Sequence, residues 1–206
     1  MSRCRQTGSG RSARLATSSD EPGALTQWAI WLIIQGHMAH SAALVVPDAA
    51  DAATPDLERL RQFARQGAPG AHAYVVLLGM NTFDAREVLR AVNKGLPYRA
   101  FDRFCRNTGL SFDEVIALID IPRRTMTRRK ADGRFRPGES DRLLRASRLF
   151  AQALELFEGD RDAALGWLMA AQSALGHAIP LHLARTEVGS REVERLITRL
   201  EHGVFS

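Results

Sequence analysis

The densest group of chemically active side chains is the basic stretch RRTMTRRKADGRFRP, from Arg123 to Pro137. It holds six arginines, one lysine and a single acid, Asp132. Arginine side chains can read guanine edges, and the remaining cations of such a stretch can bind phosphates. The stretch therefore fits a solvated basic loop, a segment that attracts any polyanion, or one wall of a DNA-reading site.

Catalytic and metal-binding patterns are missing from the rest of the sequence. The six histidines are scattered without metal-ligand spacing, at positions 37, 40, 72, 177, 182 and 202. Cys4 and Cys105 lie too far apart to suggest a disulfide framework or a zinc site, which indicates a reducing compartment. Cys105 is predicted to be a small core residue, and no P-loop or dinucleotide-binding glycine motif occurs. We therefore predict a cytoplasmic protein that is not an enzyme and uses no cofactor or metal.

The charge of the chain favours a polyanionic partner. The 206 residues carry a formal net charge of +5 and are 45% hydrophobic, enough for one or two small domains with a real core. From Asp160 to Ser206, five arginines face six acids, so the positive excess lies upstream of that region. Nucleic acid is the first expectation for such a partner, and an anionic membrane surface is the second.

The N-terminal segment is the least informative part of the sequence. Residues 1–19 contain four arginines and no acid, as in a disordered arm or a targeting peptide. The apolar run WAIWLII, residues 28–34, is too short for a bilayer, which needs about 20 residues. Asp20 and Glu21 precede it where a secretory signal would carry positive charge. We favour an accessory arm with one short amphipathic helix, or an over-long reading frame that truly starts at Met38 or later.

Helical periodicity begins at Pro55. Apolar residues at three- and four-residue steps predict three helices, marked by Leu57, Leu60, Phe63 and Ala64, by Phe83, Val88, Leu89 and Val92, and by Phe101, Phe104 and Cys105. Glycines at 67, 95 and 109 are the predicted stops of these helices. Residues 71–80 fit either a buried helical turn or a short strand.

Two short helices with a tight turn between them follow. Ser111 and Glu114 form a predicted capping box that opens the first helix. That helix breaks at Asp120-Ile121-Pro122, and a second one begins near Pro122 and runs to Gly133. A basic, threonine-containing second helix after such a turn is the layout of a helix-turn-helix.

Spacing within the second helix separates its faces. Arg124 and Arg128 form one row, whereas Met126 is the strongly apolar residue and is predicted to enter the core. The alternative to DNA reading is a solvated basic helix, and the capping box and turn weigh against it. The predicted DNA-binding residues are Arg123, Arg124, Thr125, Thr127, Arg128, Arg129 and Lys130.

The C-terminal part also predicts helices. Asp160 can cap a helix with Leu165, Trp167 and Leu168, and Pro180 can start another with Leu181 and Leu183. Ser190 is predicted to open the last helix, whose apolar stripe contains Val193, Leu196, Ile197 and Leu200. The terminal Val204 and Phe205 suggest an apolar contact with a partner.

The residues now described carry a family resemblance. The run from Leu110 to Gly133 resembles the Xre-type helix-turn-helix, with TMTR at 125–128 where such proteins often have T-I-S-R. The longer string RRTMTRRKADGRFRPGESDRLLRASRLFAQALELFEG resembles antitoxins of type II RES-Xre toxin-antitoxin modules, a bacterial group that includes ParS and MbcA-type proteins. Three positions depart from the pattern: Ile116 replaces a small residue, Asp120 a glycine, and Ala-Ala-Gln at 170–172 a proline.

The resemblance implies a protein partner and a mechanism. The partner would be a RES-domain toxin that consumes NAD, whose active site the C-terminal toxin-binding domain covers by steric occlusion. The resemblance also implies operator binding and repression of the chain's own operon, as a homodimer within a toxin-antitoxin hetero-oligomer. The candidate toxin-facing or domain-shaping residues are Trp167, Leu175, Pro180, Thr186, Gly189, Glu201, Gly203, Val204, Phe205 and Ser206.

The sequence thus predicts an all-α protein with no membrane partner. We expect a variable, partly disordered arm at 1–70, an Xre-like helix-turn-helix domain at 71–148 and a toxin-binding domain at 149–206. A stand-alone helix-turn-helix regulator, with a ligand- or protein-sensing C-terminal half, is the alternative. Some arginines of the basic stretch could instead be structural and pair with Glu139 or Asp141.

Overall fold

The computed structural model describes residues 55–67 and 71–203. The segments 1–54, with the apolar run 28–34, and 204–206, with Val204 and Phe205, lie outside the described residues. Within the described ranges every regular element is helical, apart from two isolated backbone bridges between linkers. The predicted all-α class is confirmed.

The helices are numbered along the described residues. The α-helices are α1 Pro55–Gln66, α2 Ala85–Lys94, α3 Tyr98–Thr108, α4 Phe112–Leu118, α5 Arg123–Asp132, α6 Pro137–Leu156, α7 Arg161–Met169, α8 Pro180–Leu183 and α9 Glu187–Glu201. Two 3-10 helices, Ala73–Leu78 and Ser173–Leu175, lie between them. The first of these settles the ambiguity at 71–80 in favour of a buried helical turn.

Local sequence signals set the ends of the helices around the predicted helix-turn-helix. The Ser111 hydroxyl accepts from the Glu114 amide at 3.3 Å, and the Glu114 carboxylate accepts from the Ser111 amide at 2.7 Å. The predicted capping box is therefore confirmed. Gly109 ends α3 and Gly133 ends α5 in the left-handed conformation, with φ of 76° and 68°. This conformation is strained for residues with a Cβ, which explains glycine at both stops.

Two sequence predictions need correction. The last helix begins at Glu187 and not at Ser190, because the Thr186 hydroxyl accepts from the Gly189 amide at 3.0 Å and caps the helix earlier. Leu89 belongs to the predicted apolar face of α2, yet it is 59% exposed. Val88 and Val92 are the buried residues of this helix, and the partly buried Ala91 packs beside them against the core.

The 20-residue helix α6 lies at the centre of the core. It packs against α1, the 3-10 helix Ala73–Leu78, α2, α3, α7 and α9. Its buried face includes Leu143, Leu149, Phe150 and Ala153. One helix therefore contacts elements from both the helix-turn-helix region and the C-terminal region, so the two share a continuous core.

Gly189 permits a close contact between α8 and α9. A Cβ at this position would lie 1.9 Å from the carbonyl oxygen of Leu183. That atom belongs to the backbone and cannot rotate away, so any larger residue must push the two helices apart. The geometry gives Gly189 a packing role.

Replacing Gly189 by alanine should destabilise the protein by roughly 1–3 kcal/mol, the usual cost of overpacking. The matched control is Gly166→Ala in α7, where an added Cβ meets no atom within 4 Å. That change should be neutral or stabilising by up to about 1 kcal/mol, because alanine favours helix over glycine. Urea unfolding of both variants measures the difference, and equal midpoints would contradict the packing role.

Candidate functional site

The turn between α4 and α5 has the geometry of a helix-turn-helix. Ile119 and Ile121 are buried, and the Ile121 amide donates to the Ile116 carbonyl at 3.0 Å. Asp120 lies between them, exposed and left-handed with a φ of 50°. Aspartate tolerates this conformation better than most residues, which lets it replace the glycine of the family pattern. Ile116 is itself buried, so the core accommodates its larger side chain.

Helix α5 turns most of its polar residues outwards. Arg124, Thr127, Arg128 and Lys130 are exposed, and Thr125 is half-buried. Within the described part of the chain, Arg124, Arg128 and Lys130 form no salt bridge. Met126 is buried, as the sequence predicts. The exposed face thus presents uncompensated positive charge beside a threonine hydroxyl.

Arg123 is tied to the preceding helix. Its guanidinium forms a salt bridge with the Asp113 carboxylate. It also lies 5.4 Å from the ring centre of Phe112, a cation–π distance. Both partners belong to the first turn of α4, so Arg123 joins the two helices of the motif at their solvent side. Its charge is partly neutralised there, unlike that of Arg124.

Arg129 requires a correction to the predicted DNA-binding set. It is only 3% exposed and points inwards beside Met126, three residues earlier on the same face. Its Nε donates to the Glu139 carboxylate at 2.7 Å, and its Nη1 donates to Asp132 at 3.0 Å. The Arg129 guanidinium therefore forms its hydrogen bonds within the fold and is not exposed at the surface of α5. The predicted structural pairing with Glu139 is confirmed, whereas Asp141 is exposed.

Glu139 holds two structural hydrogen bonds at the start of α6. Its carboxylate accepts from Arg129 and, at 2.7 Å, from the Arg136 amide. Burial by itself raises the pKa of this carboxyl, but the hydrogen bonds from Arg129 and the Arg136 amide outweigh burial and lower the pKa below its usual value. The pair therefore stays ionised near neutral pH and connects α5 to α6.

The predicted residues of the C-terminal half divide into buried and surface positions. Trp167, Pro180 and Gly189 are buried, and the Trp167 ring lies 6.3 Å from that of Phe157. These three positions shape the domain. Leu175 is half-buried, whereas Thr186 and Glu201 are exposed and available to a partner.

Two family models match the chain in succession. The antitoxin Xre-like helix-turn-helix domain matches residues 87–148, and the antitoxin Xre/MbcA/ParS C-terminal toxin-binding domain matches residues 152–203. The chain belongs to the Xre antitoxin family. The resemblance of the sequence to Xre, ParS and MbcA-type antitoxins is thereby confirmed.

Two curated relatives agree with the family models. A protein named antitoxin Xre from Yersinia enterocolitica is 47% identical over 94 residues, which are 45% of this chain and 64% of that protein. Another antitoxin Xre, from Photorhabdus laumondii, is 33% identical over 116 residues, 56% of this chain and 78% of that protein. The match to the Yersinia relative therefore spans slightly less than two thirds of its length.

The toxin-binding domain of this Xre-family chain has exposed apolar residues that the sequence reading missed. Val188 in the first turn of α9 is 72% exposed, and Met169 at the end of α7 is 43% exposed. Val188 lies one position before Gly189 and outside the stripe of Val193 and Leu196. That offset from the helical period is the sequence signal that could have identified it.

The toxin-binding domain contacts the helix-turn-helix directly. The Nε of Arg185, in the turn between α8 and α9, donates to the Ala117 carbonyl at 3.0 Å, near the end of α4. Arg145 of α6 forms a salt bridge with Glu187 of α9. The first helix of the DNA-binding motif is therefore positioned in part by the second domain.

Three further properties of the described residues concern metal ligands, the Cys105 thiol and helix length. Histidine, cysteine, aspartate and glutamate side chains form no cluster suited to a metal ion there. Cys105 is half-buried, and burial raises the pKa of its thiol to about 12, which keeps it protonated and poorly nucleophilic. Among the helices of residues 55–67 and 71–203, none has both the length and the apolar character of a membrane span.

Arg129→Ala should destabilise this Xre-family chain by roughly 3–5 kcal/mol, because the change leaves the buried Glu139 carboxylate without its cation. Arg128→Ala is the matched control, since Arg128 is an exposed neighbour on the same helix. The control should lie within about 0.5 kcal/mol of the unmodified protein. Denaturant unfolding at neutral pH measures both variants, and similar losses of stability in the two would exclude a structural role specific to Arg129.

Proposed function

We propose that this chain neutralises a RES-type, NAD-consuming toxin and represses its own operon by binding operator DNA. The observation that carries the proposal is the succession of two matched domains in one chain. A helix-turn-helix with an exposed basic helix is followed by a domain that binds toxins in its family. A stand-alone regulator is disfavoured, because a toxin-binding domain stands where its sensing domain would be.

DNA recognition is assigned to the exposed face of α5. Arg124, Thr127 and Arg128 point away from the core and have the donors and methyl group that read guanine edges and thymine methyls. Arg123, Thr125 and Lys130 flank them and would bind phosphates or hold the helix in register. Helix-turn-helix proteins commonly bind paired half-sites as dimers, so we propose a homodimer on the operator.

Toxin neutralisation is assigned to the surface of the C-terminal domain. Trp167, Pro180 and Gly189 would keep its shape, while Leu175, Thr186, Glu201 and Gly203 would face the toxin. The exposed Val188 adds an apolar contact to this set. The tail from Val204 to Ser206, which lies outside the described residues, would approach the toxin cleft. The chain itself would do no chemistry and would act in the cytoplasm by occluding the active site.

Replacing Arg124 and Arg128 together by alanine should weaken binding to the DNA upstream of the gene. Each lost base contact costs about 1–3 kcal/mol, and each lost phosphate contact makes the salt dependence shallower. Fluorescence anisotropy on a labelled duplex from that region, at several salt concentrations, measures both effects. Arg191→Ala on α9 is the control, and a binding curve unchanged by the double substitution would refute the assignment.

Deleting Val204 to Ser206 should weaken toxin neutralisation and leave DNA binding intact, because the deletion removes an apolar contact far in sequence from α5. The measurement is the growth of cells that express a RES-domain protein encoded beside this gene, with the full-length or the shortened chain. DNA binding by the purified shortened chain is the internal control. Complete rescue of growth by the shortened chain would show that the tail is not part of the toxin-binding surface.

A further inference from the structure

A second group of cations lies beside the end of α5, on two linkers. We infer that Lys94, Arg134 and Arg136, here called the linker patch, bind phosphates of the DNA backbone next to the bases that α5 reads. The inference rests on the proposed DNA-binding function and extends it to residues outside the helix.

The two linkers are joined backbone to backbone. One runs from Gly95 to Pro97 between α2 and α3, and the other runs from 133 to 136 between α5 and α6. The Phe135 amide donates to the Leu96 carbonyl at 2.9 Å, and the Tyr98 amide donates to the Gly133 carbonyl at 2.9 Å. Reciprocal bonds of this kind form an isolated antiparallel bridge. The linkers therefore hold fixed positions relative to α5.

Two further residues tighten this connection. Gly95 has a φ of 89°, and a Cβ there would lie 2.1 Å from the Phe135 carbonyl oxygen. Glycine is thus required both by the backbone conformation and by the close approach of the second linker. The buried Ser140 hydroxyl accepts from the Leu96 amide at 2.8 Å and donates to the Arg136 carbonyl at 2.9 Å. One side chain therefore bonds to both linkers.

The cations of the patch point to solvent. Side chains alternate in an extended segment, and Phe135 is buried, so Arg134 and Arg136 project from the opposite, exposed side. Lys94 is the last residue of α2 and is exposed as well. The Nη1 of Arg134 donates to the carbonyls of Lys94 and Gly95 at 3.2 and 3.1 Å. This places the Arg134 guanidinium against the C-terminal end of α2, beside Lys94.

The charge of the patch is largely uncompensated. Within the described residues, neither Lys94 nor Arg134 forms a salt bridge, and the acceptors of Arg134 are neutral carbonyls. A guanidinium has five N–H donors, so Arg134 retains donors for an anion. The Glu139 carboxylate attracts Arg136, but it is already paired with Arg129. An incoming anion would therefore meet ordered cations with available hydrogen bonds.

Continuity with α5 identifies DNA as the anion. The second linker follows α5 directly, and the exposed Lys130 lies one turn before Gly133. In helix-turn-helix docking the start of the recognition helix enters the major groove, and segments near its other end approach the sugar-phosphate backbone. Phosphates in this position are bound whatever the base sequence. The patch would thus add affinity and fix the docking angle without adding sequence preference.

The test compares two double variants that lose equal charge. Lys94→Ala with Arg134→Ala removes cations of the patch, whereas Arg191→Ala with Arg195→Ala removes two exposed cations of α9, in the C-terminal domain. Binding is measured by fluorescence anisotropy on a duplex from upstream of the gene and on an unrelated duplex of equal length. We expect the patch variant to lose affinity for both duplexes by the same factor. The slope of log Kobs against log salt should become shallower by about 0.9 for each lost phosphate contact.

The outcomes separate the patch from the proposed function. If the unmodified chain binds neither duplex, the DNA-binding function fails and the patch fails with it. If the unmodified chain binds but the patch variant keeps the same salt slope, or the α9 control changes equally, only the patch is overturned. If the patch variant loses affinity for the upstream duplex alone, the patch reads bases. If it loses toxin neutralisation but keeps DNA binding, the patch contacts a protein partner. Either outcome contradicts the inference.

A second variant tests the patch without replacing Arg134, because the Arg134 side chain also holds the end of α2. Lys94→Ala with Arg136→Ala leaves the Arg134 hydrogen bonds in place and should also make the slope shallower. Thermal unfolding followed by circular dichroism verifies that each variant is folded. A folded second variant with an unchanged slope would overturn the inference on its own.

Discussion

The position of α5, the second helix of the helix-turn-helix, depends on the ion pair between Arg129 and Glu139. Helix α5 buries only Met126 and Arg129, so it has little apolar surface with which to dock. A buried cation is costly unless it is paired and hydrogen-bonded, and Glu139 and Asp132 supply both requirements here. Because the Glu139 carboxylate also accepts a hydrogen bond from the Arg136 amide, it fixes the start of α6 as well. A helix that is almost wholly polar can therefore be held firmly while its remaining cations face outwards.

The long helix α6 extends this constraint to the rest of the molecule. It begins at the ion pair, packs against α2 and α3 of the first region, and continues beside α7 and α9 of the second. Arg185 adds a direct bond from the C-terminal domain to the end of α4. The two domains matched by the family models consequently share one core, and the helix-turn-helix is held both by the Arg129–Glu139 pair and by Arg185.

Features set by neighbouring residues could be predicted from the sequence. Features set by contacts between distant parts of the chain could not. The capping box at Ser111, the stop at Gly133 and the turn at Asp120 act within a few residues, so the sequence identified them. The burial of Arg129 depends on how α5 is rotated about its own axis. The sequence signal for this burial was that Arg129 follows the apolar Met126 by three residues. Thr186 and Ser190 are both suitable caps, and only the contact with Gly189 decides where α9 begins. Which residues contact DNA or toxin depends also on the shape and charge of those partners. For these contacts the sequence and the fold therefore support proposals.

The distribution of ion pairs explains how one chain can serve two kinds of partner. In the C-terminal region most arginines pair with acids, as in Arg191–Glu187 and Arg195–Glu192, so that surface is nearly neutral. A neutral surface with exposed apolar residues such as Val188 suits a protein partner. Around α5, Asp113 pairs with Arg123, and Asp132 and Glu139 pair with Arg129. Within the described residues, Arg124, Arg128 and Lys130 form no salt bridge. Part of the positive excess of the sequence therefore lies on the exposed face of α5, where it can attract a polyanion.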